Sequence, residues 1–264
     1  MKILYLGDIV GRPGRDLIAK NLPNIRIEYD IDIVIAQSEN VTHGKGLSIA
    51  HYNELRTYGV DGFSGGNHTF ERPDTMRLVM DESKSVTAPL NKLNRKFPSY
   101  KIIKVSDKKV LLSSVLGTVF PDSGNKDFTN TLDSVDDLMQ MTSHFKLDAF
   151  VLNIHGDLSS QKVIMGHYLD GKVTAVVGDH WHTPTADYRV LPGGTAHITD
   201  VGMCGTLDSS LGATYESVIN RWRGGKKSGF VIQESGAMQI NGVIIETREK
   251  GVLAKTIKQL RIIT

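Results

Sequence analysis

Lys2-Ile3-Leu4-Tyr5-Leu6-Gly7-Asp8 is followed, one helix-length later, by Ile31-Asp32-Ile33-Val34-Ile35-Ala36-Gln37-Ser38-Glu39-Asn40. Both stretches are short apolar runs that stop at an acidic or amide residue. A run of five or six Ile, Leu and Val residues reads as a strand buried on both faces. Val60–Gly66, Val110–Gly117, Ala149–Ile154 and Val173–Gly178 follow the same plan. Helical patterns lie between them. Pro13–Leu22 carries a proline near its first turn, and Ser48–Tyr58 has Ser48 placed to cap. Asp133–Phe145 opens acidic, and Ser159–Leu169 stops before Gly171. Strand–helix–strand alternation predicts a layered α/β fold. Pro121–Asn130 reads as a surface loop. Ser228–Glu234, Ala237–Glu246 and Ala254–Ile262 read as a closing antiparallel meander. Asn241-Gly242 is itself a hairpin signal and leaves the register there open. With no repeat, linker or low-complexity tract, residues 1–264 read as one domain.

Composition narrows the function. The chain has 264 residues, 40% hydrophobic, with 26 glycines and a formal net charge of +2. That is a globular composition, not a disordered one. The near-neutral balance argues against bulk wrapping of duplex nucleic acid, and leaves room for a small phosphate compound. Cys204 is the one cysteine, so neither an internal disulfide nor a cysteine zinc cluster can form. A reducing cytoplasm is the expected location. The apolar run ahead of Asp8 is too short for a signal segment, and nothing approaches a membrane span of about 18 apolar residues.

In open α/β sheets, sites gather beyond the carboxyl ends of the strands. Asp8 follows the first run, Ser38-Glu39-Asn40 the second and Gly66-Asn67-His68 the third. His155 follows Ala149–Ile154, and Asp179-His180-Trp181-His182 follows Val173–Gly178. Any one of these has a bland reading as a turn former, a helix cap or a satisfied histidine. Five of the six strand ends with ligand-type oxygens or imidazoles are hard to attribute to packing. Spacings of about 30 residues match βαβ units, so adjacent strands would bring the tips together. Carboxylates, an amide and neutral imidazoles suit a pair of iron, manganese or zinc ions better than magnesium or calcium. His51, His144 and His167 read as helix residues, and His197 lacks such a placement. His43 sits in a Gly-rich loop, His43-Gly44-Lys45-Gly46, within reach of a substrate. The chain has no G-x-x-x-x-G-K-[ST] phosphate loop and no G-x-S-x-G. Only its being the sole thiol singles out Cys204 as a nucleophile.

Gly7-Asp8-Ile9-Val10-Gly11, Ser38-Glu39-Asn40, Gly66-Asn67-His68-Thr69, His155 and His180-x-His182 together resemble the bacterial YmdB-type metallophosphoesterases. Leu191-Pro192-Gly193-Gly194-Thr195-Ala196 and Thr199-Asp200-Val201-Gly202-Met203 extend the likeness, which runs over about residues 1–262. That family lies in the calcineurin-like phosphoesterase superfamily. The resemblance implies a four-layer α/β-β/α sandwich, two transition-metal ions and phosphodiesterase activity on cyclic nucleotides, notably 2′,3′-cyclic ones. It implies Asp8, Glu39 and His182 on one ion, and Glu39, Asn67, His155 and His180 on the other. Asn40 would meet the substrate phosphate, and His68 would be the general acid. The chain departs from relatives at Trp181, at Asp157 and at Phe70, none of which removes a ligand or the acid.

That set predicts in-line attack by a hydroxide held between the ions, with His68 protonating the leaving alkoxide. A phosphomonoesterase or phosphoprotein phosphatase using the same residues is the nearest alternative. A regulatory protein that binds a nucleotide with little turnover is another. An amidohydrolase reading of His180-x-His182 fails because that pair comes late in the chain. The expected partner is a small phosphodiester, with no membrane; a homo-oligomer is left open.

Overall fold

The computed structural model describes residues 1–120, 126–224 and 231–264. The first five residues of the expected Pro121–Asn130 loop, and the first three of the expected strand Ser228–Glu234, lie outside the described residues.

Two sheets face each other. The first holds β1 (Lys2–Leu6), β2 (Asp8–Ile9), β3 (Ile33–Gln37), β4 (Gly62–Ser64), β11 (Met203–Thr206), β12 (Met238–Thr247) and β13 (Ala254–Ile263). The second runs β5 (Lys101–Val105), β6 (Lys108–Leu116), β7 (Ala149–His155), β8 (Ala175–Asp179), β10 (Ala196–Ile198) and β9 (Arg189–Val190), in that spatial order. β1, β3 and β4 are parallel neighbours, as are β6, β7 and β8. Three helices, α1 (Gly11–Tyr29), α2 (Ile49–Thr57) and α3 (Pro73–Met80), supply apolar residues to the core on the first sheet's outer face. α4 (Thr131–Thr142) and α5 (Ser159–Tyr168) do so for the second sheet. α6 (Tyr215–Trp222) completes the helices among the described residues.

The period-2 alternation of a strand explains the layering. Ile3 and Tyr5 of β1 point into the core between the sheets, with Ile33, Ile35, Val151 and Val177. Leu4 and Leu6 point the other way, onto Leu17, Ile18 and Leu22 of α1. On the far side Leu152, Ile154 and Val176 meet Val135, Leu138 and Met165. Three apolar layers between four structural ones make the α/β-β/α sandwich. Each fully buried Leu or Ile in them is worth roughly 1.5–3 kcal/mol.

Boundaries shift in several places. α1 runs to Tyr29, beyond the expected end at Leu22, and takes Pro23 into its interior. Ser48 caps α2 as expected, its hydroxyl accepting from the His51 N–H at 3.2 Å. Asn130 caps α4 through the Leu132 and Asp133 amides, and the expected acidic residue, Asp133, lies in its first turn. His144 falls past the end of α4, so it is a turn residue. Asn241 and Gly242 do not turn. Both lie inside β12, which pairs β13 along its length and β1 and β11 on its other edge. β12 therefore enters the middle of the first sheet with β13 on the edge away from β1 and β11, so two of the three strands expected for a meander, Ala237–Glu246 and Ala254–Ile262, form a hairpin.

Candidate metal centre

All six predicted ligand residues converge at the carboxyl ends of the parallel strands. The first sheet brings Asp8, Glu39 and Asn67; the second brings His155, His180 and His182. Glu39 Oε1 lies 3.1 Å from His155 Nε2, and Asn67 Oδ1 lies 2.8 Å from the same nitrogen. Ligand atoms of Glu39, His155 and His180 all fall within 4.8 Å of one another. Beside them, Asp8 Oδ1 stands 3.7 Å from His182 Nε2, and Asn40 Oδ1 stands 3.3 Å from it. Asp8 Oδ1 is buried and has no hydrogen-bond partner. An orphaned buried carboxylate oxygen is costly, and a cation beside it would offset that cost. The donor set of carboxylates, imidazoles and an amide fits transition-metal ions.

The electrostatics agree. Burial pushes the Asp8 carboxyl well above the usual range, and the Asp179 carboxylate adds to this. Glu39 is held at about 2: burial alone would raise it, and the charge and hydrogen bond of His155, with His68 and His180 adding, together outweigh burial. His155 is raised despite burial, because Glu39 and Asp179 flank it. Burial lowers His180 to about 4, with His155 adding repulsion, and lowers His182 too. His180 and His182 are therefore neutral at pH 7, the form in which imidazole ligates.

Four local devices set these side chains. Gly66 lets Asn67 turn in against the site, since a Cβ there would run into Glu39 Oε2 and the His155 ring. His155 ends β7 itself, and its Nδ1 meets Asp179 Oδ1 at 2.6 Å. The other Asp179 oxygen accepts from Tyr5 Oη, Gln37 Nε2 and Asn153 Nδ2 at 3.1, 2.9 and 2.6 Å. This buried carboxylate fixes the ring so that Nε2 faces Glu39. His180 and His182 have φ of 101° and 61°. Such strain costs on the order of 1–3 kcal/mol per residue and concentrates where function needs it. His182 Nδ1 donates to the Leu211 carbonyl at 2.9 Å, leaving Nε2 toward Asp8.

His68 and Asn40 stand at the rim. The His68 backbone N–H donates to Glu39 Oε2 at 2.9 Å, and its Nδ1 lies 2.5 Å from Glu71 Oε1. Asn40 Nδ2 donates to the Gly44 carbonyl. The sequence reading missed Asp179 as a support, with Tyr5, Gln37 and Asn153 behind it, and Glu71 behind His68. A signal existed for two of these: Gln37 and Asn153 are amides set within otherwise apolar strands, where an unpaired polar group is costly. His43, at φ 53°, is exposed in its loop and forms an edge contact with His51.

The sequence pattern described as YmdB-like protein matches residues 4–260. The chain belongs to the YmdB-like family. A Bacillus subtilis relative, 2′,3′-cyclic-nucleotide 2′-phosphodiesterase, is 32% identical over 99% of this chain and 97% of its own. Two solved structures superpose on the YmdB-like fold seen here with a TM-score of 0.88 each. One is a hypothetical protein from Thermus thermophilus, 32% identical over 100% of this chain and 99% of its own. The other, described as a novel phosphatase from Mycoplasma pneumoniae, is 31% identical over 100% of this chain and 93% of its own. The names carried by these YmdB-like relatives support a phosphoric ester hydrolase. Among the described residues, no helix is long and apolar enough to cross a membrane.

Proposed function

We propose that this chain is a dinuclear-metal phosphodiesterase acting on cyclic nucleotides, 2′,3′-cyclic ones first, with residues 1–264 as one metallophosphoesterase domain in the cytoplasm. The observation that carries the reading is the gathering of Glu39, Asn67, His155 and His180, with the partnerless Asp8 Oδ1 facing His182 beside them. The name of the Bacillus subtilis relative supports the substrate class. Asp8, Glu39 and His182 would hold one ion, and Glu39, Asn67, His155 and His180 the other, with Glu39 shared. Iron or manganese fits the mixed oxygen and imidazole donors, with zinc third. Bound ions supply Lewis-acid stabilisation of the charge that grows on the phosphoryl oxygens.

The protein's own residues supply the rest. Asn40 reaches a phosphate oxygen through Nδ2 by releasing the Gly44 carbonyl, while its Oδ1 stays toward His182. Glu71 occupies His68 Nδ1, so His68 Nε2 is the atom left to carry a proton to the leaving ribose oxygen. The His68 side chain is partly exposed, as a group that meets substrate and exchanges protons with solvent must be. A 2′,3′-cyclic phosphate is a strained five-membered ring, so its opening asks less of the acid than an unstrained diester would.

The test reloads chelated protein with Fe²⁺, Mn²⁺ or Zn²⁺. It compares 2′,3′- with 3′,5′-cyclic nucleotides, and bis-p-nitrophenyl phosphate with p-nitrophenyl phosphate. Metal-dependent turnover of the cyclic and bis-esters is expected. Preference for the monoester would instead give a phosphomonoesterase, the activity that the name of the Mycoplasma pneumoniae structure suggests. Tight nucleotide binding without product would give a regulatory binder.

A further inference from the structure

We propose that Lys162, on α5, is a positioning residue for the metal centre: with Asp200 it clamps the turn that presents His180 and His182. The inference rests on the metal-centre reading above. Lys162 is almost fully buried, at 1% exposure, and its ammonium is directed at this turn and at Asp200. Nζ donates to the Asp179 carbonyl at 2.6 Å, immediately before His180. It lies 4.2 Å from the Trp181 ring, between the two histidines, and 2.9 Å from Asp200 Oδ2. Asp200 Oδ2 also accepts the Trp181 backbone N–H at 2.8 Å, and Asp200 Oδ1 accepts the Gly202 N–H at 2.9 Å. The clamp thus holds the carbonyl before His180 and the amide after it, and touches neither imidazole.

A buried ion pair is poor evidence of stabilisation, because desolvation offsets much of the attraction. What such a pair can do is select one geometry among several. Here the selected geometry is an unfavourable one, with His180 and His182 both at positive φ. An apolar side chain in place of Lys162 would fill the space but could not bind the Asp179 carbonyl. Nor would it hold Asp200 where that carboxylate receives the Trp181 amide. The turn would then relax toward ordinary backbone angles and withdraw both histidines.

The test uses wild type, Lys162→Met, Lys162→Met/Asp200→Asn and Lys101→Met. The last removes the other buried lysine among the described residues, on the outermost strand of the second sheet. Chelated proteins are titrated with Mn²⁺ against a competing chelator, and the Co²⁺-loaded forms are compared by visible absorption. Lys162→Met and the double variant should bind at least one ion about 10–100-fold more weakly, as losses of supporting contacts typically do. Their Co²⁺ spectra should shift, while Lys101→Met behaves as wild type. Wild-type affinity and spectrum in either folded Lys162 variant would overturn the assignment. Should Lys162→Met not fold, the double variant, which leaves no unpaired buried charge, decides on the same criterion. Failure of both to fold would mark a general structural role and overturn the assignment too. Wild-type protein that binds no metal would defeat the metal-centre reading itself, a separate result.

Discussion

Glu39 and His68 touch through a backbone amide, yet the site gives them opposite work. Glu39 lies under full burial among imidazoles, and His68 stands partly open beside Glu71. His68→Ala should therefore keep its bound metal and lose turnover by about 10²–10⁴-fold. Elemental analysis beside steady-state rates checks this, and full activity in the variant would remove His68 from the acid's role. Asp8→Ala and Glu39→Ala should lower metal content instead. Asp179→Asn should sit between these extremes. It keeps the volume but loses the charge that orients His155, so metal affinity should fall about 10–100-fold in a chelator competition. The proposed ligands were legible because each stands at or just past the end of an apolar run. Their supports were less so: Gln37 and Asn153 stand out as amides within apolar strands, but Tyr5 reads as one more apolar strand residue and nothing near it marks a role. Which of them faces the site depends on register across two sheets.

Elements position these groups with little slack. The turn from β4 to Asn67 needs Gly66, whose absent Cβ leaves room for Glu39 and the His155 ring, the latter 2.6 Å from where that carbon would be. Gly66→Ala should fold less stably and bind metal poorly, as thermal melts of chelated and loaded protein would show. An unchanged metal-induced rise in the melting midpoint would count against that account. The parallel strands could be read because Ile, Val and Leu runs of that length have few other uses. Asn241-Gly242 misleads for a physical reason. The dipeptide favours tight turns in isolation. Inside β12, however, Gly242 is needed for close approach, since a Cβ would lie 2.8 Å from the Tyr5 carbonyl. Short strands such as β9 and β10 carry too few residues to announce a period.

Taken whole, the molecule holds several histidines that burial keeps neutral. His51, His180, His182 and His197 are all lowered, burial being the largest cause in each, and His180 reaches about 4. Between pH 6.5 and about 4 the unfolded chain binds protons at these positions that the folded chain refuses. These histidines thus contribute stability to the metal-free protein that is lost as pH drops, while the raised carboxyls of Asp8 and Asp200 contribute in the opposite sense. His155 works the other way: its raised value gives stability that is complete below 6.5 and fades as pH climbs. Denaturant midpoints of wild type and His180→Asn from about pH 4 to about pH 7 check the sign: wild type should lose stability relative to the variant as pH falls. A wild type that gains on His180→Asn toward acid would contradict the burial assigned to His180.

The route of β12 carries a further consequence. Asp8 sits on β2, β2 pairs β11, and β11 together with β1 leans on β12, which begins only at Met238. A nascent chain still on the ribosome would already have displayed every candidate ligand, from Asp8 to His182. Without residues 238–247, however, the sheet under Asp8 has no central beam. The sheet beneath the candidate site is thus completed only by a strand that follows every candidate ligand in the chain.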